Sequence, residues 1–525
     1  MFKISRRLFL ASLCCISSAT ALWYGEQDIN IVSELGPLLS QGAKVVLHDD
    51  VDFEKVTARW QHWAAPTFKA VVQTKTEEDI QQTILYANKH TIPFLAQSGG
   101  HGSISSLAAL ENGIQINLRS MNTVAISKDD RYATVGAGVE VKELIDSLWS
   151  LGKQTVTGIC ECVGLMGVAL GGGHGMLQGH YGLLSDQILS ARLVLANSTA
   201  ITVSSTENKD LFWALRGAGH NYGVVASLDY RIYDIDTANG KDVWSHEVFI
   251  YPATPENVKA VYTEAQNQLE TQPRGIFHYG LVLTVPALSP EPMIMHHVVW
   301  NGPLDTINPH TQAFHNLKPA NVMKDEGTYL DLPRWLQTDK SSMVCNPTDF
   351  IPDVGVPRFP VDVQDYNIDA LVEAVEVLKK TMKSFPEFAA SVLMIEQYPM
   401  HMVREIDDKK SAFPSRKDRL LMAPAMLYQS LSNGTPNTTL DDLAIKWGTA
   451  IQTILIDGAK KQGGARTYVN YAHGGESLET MYGEEPWRLE RLRRLKREYD
   501  PKNRFRFYAP IVQNEEIENE GHDEL

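Results

Sequence analysis

Cysteine is scarce, with five in 525 residues. Cys14 and Cys15 fall in the first apolar run, leaving Cys160, Cys162 and Cys345 for the rest of the chain. No paired C-x-x-C and no H-E-x-x-H occurs, and His174, His180, His220 and His473 have no ligand spacing, so no metal site is expected. No G-x-S-x-G is present, which excludes the hydrolase elbow. No Gly-Lys-Ser/Thr follows the glycine clusters, which excludes a Walker loop. Basic residues are in deficit, 48 against 63 acidic, for a net charge of −15. That balance disfavours nucleic acid as a partner. No segment approaches 18 uninterrupted apolar residues, so no membrane span is expected. There is no internal repeat, heptad or low-complexity tract. What remains is an ordinary globular composition, 43% hydrophobic and 21% charged, in a chain long enough for two or more domains.

The ends carry addresses. Lys3, Arg6 and Arg7 precede an apolar run from Leu8 to Ile16, and Ala19-Thr20-Ala21 suits cleavage, so residues 1–21 read as a signal peptide. Ser5 to Leu10 also resembles a twin-arginine signal. Residues 513–525 form an acidic tail ending His522-Asp523-Glu524-Leu525, a retrieval address for the endoplasmic reticulum. Read together, the two ends point to the lumen of that compartment, with its retrieval receptor as a partner. Sequons at Asn197, Asn433 and Asn437 fit a glycoprotein there.

Residues 23–65 show little periodicity and read as a lead-in. From Ala70 the pattern becomes strand, helix, strand: Ala70 to Gln73, a helix opened by a Thr76/Asp79 capping box, and Ile92 to Ala96. Further strands are expected at "GIQINL" and "YATVGAGV", with a helix at "VKELIDSLWSLG" and a hairpin around Asn197. Residues 155–186 hold nine glycines, too many for one packed helix. Residues 236–460 alternate strand-like and helical runs, which predicts an antiparallel sheet backed by helices. Trp60, Trp63 and Trp213 are expected in the core.

His101 stands among glycines in "SGGHG", directly after a strand, where α/β proteins place ligand loops. Gly171-Gly172-Gly173 exposes consecutive backbone N–H groups able to cradle a pyrophosphate. These stretches, with "DLFWALRGAGHNYGVV" and the late "YVNY" and "YDPKNRFRF", form an ordered set. It resembles the berberine-bridge-enzyme-like, oxygen-dependent FAD-linked oxidoreductases, which have a vanillyl-alcohol-oxidase (PCMH-type) FAD fold. The resemblance runs from about residue 60 to 512.

It implies an α+β architecture in which both chain ends build the FAD-binding domain (60–235, completed by a berberine-bridge-like segment, 461–512) around a substrate domain (236–460). It implies FAD bound covalently through His101, with Ser98, Gly99, Gly100, Gly102, Gly164, Gly167, Gly171, Gly172, Gly173, Val224, Val225, Asn503 and Phe505 as further contacts. Gln97 stands where many relatives carry arginine. Cys160 has three open readings. It could be a second flavin tether, or Cys160 and Cys162 could be buried thiols, or one of them could pair with Cys345. From Tyr468-Val469-Asn470-Tyr471, Tyr471 is expected as base, assisted by Tyr468 or Asn470; a phenol needs such help near neutrality. A glutamate base from the strand in "AFPSRKDRLLMAPAMLY" is not expected, because that stretch holds no carboxylate after Asp418. The implied activity is oxidation of a small, secondary-metabolite-like molecule by hydride transfer to flavin N5, with O2 returning H2O2. A dehydrogenase with another acceptor, a redox-neutral cyclase and a non-catalytic binding protein are the alternatives.

Overall fold

A computed structural model describes residues 30–511 apart from Asn433. The expected signal peptide, the acidic tail with its HDEL end and the Asn433 sequon lie outside the described residues. The α+β architecture is found, as three main sheets with helices packed on them.

The first sheet has the order β1-β2-β4-β3, with β1 (Lys44–Leu47), β2 (Phe68–Gln73), β3 (Phe94–Gln97) and β4 (Gly113–Asn117). Its β2, β3 and β4 run parallel, as a crossover helix allows. That helix, α1 (Glu77–Lys89), opens as expected: the Thr76 hydroxyl accepts from the Asp79 amide, and Asp79 accepts from the Thr76 amide. Asp79 also takes hydrogen bonds from the Ser40 amide and hydroxyl. Residues 31–57 are therefore structured, with β1 paired antiparallel to β2. The lead-in reading fails here because a four-residue edge strand shows too little periodicity to be seen.

The second sheet is antiparallel: β5 (Val124–Ile126), β6 (Tyr132–Gly136), β7 (Ile188–Val194), β8 (Ala200–Ser204) and β9 (Val224–Arg231), in the order β5-β6-β9-β7-β8. The β7–β8 hairpin turns at Asn197. Residues 504–511 return to these first two sheets. Arg504 donates to the Ile92 carbonyl, Phe505 meets Phe94 edge-on, and the Ile511 amide donates to Asn221. One continuous core holds side chains from Ile31 to Ile232 and from Tyr468 to Ile511, together with residues of the intervening segment such as Trp244, Phe277 and Tyr398.

The third sheet has seven antiparallel strands. These are β10 (Trp244–Pro252), β11 (Ile276–Leu283), β12 (Met293–Trp300), β13 (Asn321–Gly327), β14 (Val361–Val363), β15 (Val392–Gln397) and β16 (Leu420–Ala425), ordered β13-β10-β12-β11-β15-β16-β14. Alternation along each strand gives the sheet two faces. One face, with Phe249, Val282, Ile294 and Ile395, packs under the helices α2 (Pro255–Leu269), α3 (Ile368–Ser384) and α4 (Thr438–Ala459). The other, with Tyr279, Leu281, Met394 and Glu396, faces a cavity shared with the first two sheets. Among the described residues no helix is long and apolar enough to cross a membrane.

This sheet buries four histidines in two pairs, His246 with His297 at 2.9 Å and His278 with His296 at 3.2 Å. Burial pulls His246 down to about 4 and His278 to about 3, and holds His296 and His297 well below their ordinary value of 6.5. A depressed histidine contributes stability that is complete above its unfolded value and is lost as pH falls toward the folded one. Each unit corresponds to ~1.4 kcal/mol. The expected result is a melting temperature that drops steeply between pH 6.5 and 4, measured by thermal unfolding in matched buffers. A flat profile across that interval contradicts the burial of these rings as neutral bases.

Candidate active site

The cavity measures about 430 Å³, within the range of ordinary ligand sites. The loop after β3 forms one wall. Gly99 and Gly164 meet back to back there: a Cβ on Gly99 would lie 2.4 Å from the Gly164 nitrogen, and one on Gly164 would lie 2.5 Å from the Ser98 hydroxyl oxygen. Only glycine at both positions lets the two loops touch. Ser98, Gly100, Gly102, Gly167, Val224, Val225 and Phe505 also line the cavity. The triple glycine does not. A Cβ on Gly171 would strike the Asn470 carboxamide at 2.0 Å, one on Gly172 would strike Phe413, and one on Gly173 would strike Leu184. These glycines admit protein neighbours where a pyrophosphate cradle was expected. Asn503 also lies off the cavity wall, in a left-handed turn with φ 48°.

His101 is half-buried on the wall. Its Nδ1 is 3.1 Å from the Gly99 carbonyl; a carbonyl only accepts, which assigns the proton to Nδ1 and leaves Nε2 unprotonated, 3.4 Å from Cys162 Sγ. Burial, with lesser contributions from Arg358, Arg59 and Lys340, pulls the ring down to about 4, so it is neutral. Trp60 stacks on it with centroids 5.6 Å apart. Trp60 thus belongs to the site and not, as expected, to the core, whereas Trp63 and Trp213 are buried. Gln97 has no arginine at its own position, yet Arg59 reaches in from another segment and donates to Gln97 Oε1 at 3.3 Å and to the Gly102 carbonyl at 2.6 Å.

The cysteine alternatives are resolved in part. Cys162 and Cys345 form a disulfide, with Cα atoms 5.7 Å apart, and Cys160 is free. The bridge ties the loop beside His101 to a segment that covers the cavity, where Leu336, Thr338, Met343 and Val344 contribute wall. Cys160 lines the same cavity, its thiol pushed up to about 12 chiefly by burial.

Tyr468, Asn470 and Tyr471 all reach the cavity. The Asn470 amide donates to the Tyr468 hydroxyl at 2.8 Å and to the Val168 carbonyl at 2.9 Å. The rings of Tyr468 and Tyr471 meet edge-to-face at 5.1 Å. Burial, reinforced by Glu396, holds the Tyr471 phenol well above 10. Glu396 is the residue that sequence reasoning missed. It lies on β15, beside the β16 stretch that holds no carboxylate after Asp418, and its register partners are Tyr279 and Leu421. The Tyr471 hydroxyl donates toward its Oε1 at 3.5 Å, and Oε2 is buried without a partner. Burial pushes the carboxyl up to about 8, with Arg358 and Tyr471 pulling the other way. A Glu directly after the apolar run "VLMI" was the available signal. Arg358, also missed, sits over the faces of Trp60 and Tyr471, 4.7 and 4.6 Å from their centroids.

The site fits a flavin dinucleotide. Its walls are glycine backbone and apolar side chains, and the Ser98 hydroxyl is buried beside the glycine contact without a partner. Among the described residues no three His, Cys, Asp or Glu side chains are grouped to hold a metal ion.

Comparison with known proteins agrees. The family model described as FAD binding domain matches residues 68–204, and that described as berberine and berberine like matches residues 467–512. FAD-linked oxidoreductase anuG of Penicillium roqueforti is 37% identical over 491 residues, 92% of each chain. FAD-linked oxidoreductase chyH of Penicillium rubens is 35% identical over 507 residues, 96% of this chain and 97% of its own. Among solved structures, a chitooligosaccharide oxidase superposes with a TM-score of 0.76 at 20% identity, covering 91% of this chain and 99% of that one. Glucooligosaccharide oxidase from Acremonium strictum, described with a 6-S-cysteinyl, 8α-N1-histidyl FAD, superposes with a TM-score of 0.76 at 16% identity, covering 91% of this chain and 98% of that one.

Proposed function

Because the chain belongs to the berberine-bridge-enzyme-like family of FAD-linked oxidoreductases, we propose that it is an oxidase of small organic molecules that carries its flavin covalently and uses O2 as acceptor. The observation that carries this reading is the convergence of a neutral His101, the free Cys160 and the Tyr471–Glu396 couple on one cavity. His101 would hold the flavin, with Cys160 as a second tether and the Ser98–Gly102 loop, Gly164, Gly167, Val224, Val225 and Phe505 around it. When bound, the flavin supplies a two-electron acceptor. The chain supplies the proton chemistry: Tyr471 takes the substrate's proton while passing its own to Glu396. Tyr468, fixed by Asn470, holds the Tyr471 ring in place. Leu281, Leu283, Val392, Met394 and Leu427 line the substrate side, which favours a largely apolar, secondary-metabolite-like molecule over a sugar.

A secretory route to the endoplasmic reticulum, with glycosylation, is part of the same proposal. A disulfide between distant segments suits an oxidising compartment, and Asn197 is exposed on its turn.

The test of the oxidase reading needs no substrate. The purified holoprotein is reduced with dithionite under nitrogen until the yellow colour bleaches, and air is then admitted. Colour that returns within seconds is the expected result. Colour that stays bleached in air but returns at once on adding a quinone assigns a dehydrogenase instead.

A further inference from the structure

Arg358 lines the same cavity and holds no position in the proton relay proposed above. It enters from the segment just before β14, paired through its backbone with Ala425 at the end of β16. Its guanidinium sits over Trp60 and Tyr471. Ring faces stabilise the charge but provide no oxygen for its N–H donors. Among the described residues no carboxylate lies within ion-pair distance of it, and no side-chain or carbonyl oxygen accepts a hydrogen bond from it. Glu396 shares the cavity but is turned toward Tyr471. Arg358 is half-buried, so its charge keeps some solvent contact, and an anion that enters the cavity gains a charge-assisted partner there.

We propose that Arg358 is the specificity determinant of the site and receives the carboxylate of a planar, otherwise apolar acid, holding that substrate against Tyr471. The proposal rests on the oxidase reading only in taking this cavity as the substrate's. The guanidinium fork matches a carboxylate with two parallel hydrogen bonds, which an ammonium cannot reproduce. Its contact with the Tyr471 ring places the bound anion beside the base. The aliphatic and aromatic lining, among it Leu281, Met394 and Leu427, suits the rest of a flat hydrophobic ligand.

The probes are benzoate and benzamide, equal in shape and different in charge. Their affinities for the holoprotein are measured by titration calorimetry in wild type, Arg358→Gln and Arg358→Lys, so that binding is read without turnover. Flavin content of each protein is measured separately after acid precipitation. The expected result is a preference for benzoate of roughly tenfold or more in wild type, as for a charge-assisted contact. The preference disappears in Arg358→Gln and survives in part in Arg358→Lys. Equal affinity for the two probes in wild type, no benzoate binding, or a benzoate preference that persists in Arg358→Gln overturns the assignment. A protein without flavin that still prefers benzoate through Arg358 sinks the oxidase reading and leaves this one standing; a flavinylated protein without the preference does the reverse.

Discussion

Tyr471→Phe is expected to lower kcat by roughly 10²–10⁴-fold, the usual contribution of a positioned acid or base, with flavin content unchanged. The phenol cannot act as a free tyrosinate near neutrality, because burial and Glu396 hold it well above 10. Its basicity has to come through Glu396, which accepts the phenolic proton as the substrate's proton arrives. Glu396 is pushed up to about 8, so at neutral pH most of it is protonated and unable to accept. A base works in its deprotonated form, so kcat/KM should rise with pH and level off above about 8. Glu396→Gln should abolish that limb and lower the plateau. A wild-type profile that is flat from pH 6 to 9, or a Gln variant that keeps the limb, removes Glu396 from the proton path and leaves Tyr471 to be activated by Arg358 alone.

His101→Ala is expected to move all visible colour from the acid-precipitated pellet to the supernatant, because the buried Cys160 thiol bonds only a flavin that His101 already holds, or to yield a colourless protein if the tether is needed to retain the cofactor. The contrast with Cys160 follows from their surroundings. The His101 imidazole is neutral with one unprotonated nitrogen, whereas burial pushes the Cys160 thiol up to about 12 and suppresses its thiolate. The thiolate is the reactive form. Cys160→Ala should therefore leave the colour in the pellet and change only the shape of the spectrum. Colour lost from the pellet in the Cys160 variant, with the His101 variant unaffected, would reverse the two roles.

Much of this was legible in the chain. The Thr76–Asp79 box, the strand before His101, the hairpin at Asn197 and the long helices after 367 and 437 all carry local signals of capping or period. His101 and the tyrosine motif announce themselves by glycine and aromatic spacing. What escaped reading was set by pairing between distant segments. Glu396 and Tyr471 meet only because β15 lies between β11 and β16, and no local pattern encodes that order. Trp60 and Arg358 come together over a separation of almost three hundred residues. Arg59 occupies, from a different segment, the neighbourhood where an arginine was sought beside Ser98. The triple glycine misled for the opposite reason. A glycine run reports that something comes close, and at Gly171 that neighbour is Asn470.

The most direct measurement is peptide mapping of the wild-type protein by mass spectrometry after proteolysis in the dark. The expected result is the mass of the flavin on the peptide that contains His101, either alone or bridged to the peptide that contains Cys160, with Cys162 and Cys345 recovered as a linked pair before reduction. An unmodified His101 peptide recovered in full, with flavin on no peptide or on one from elsewhere in the chain, would contradict the tethered-flavin account of this cavity.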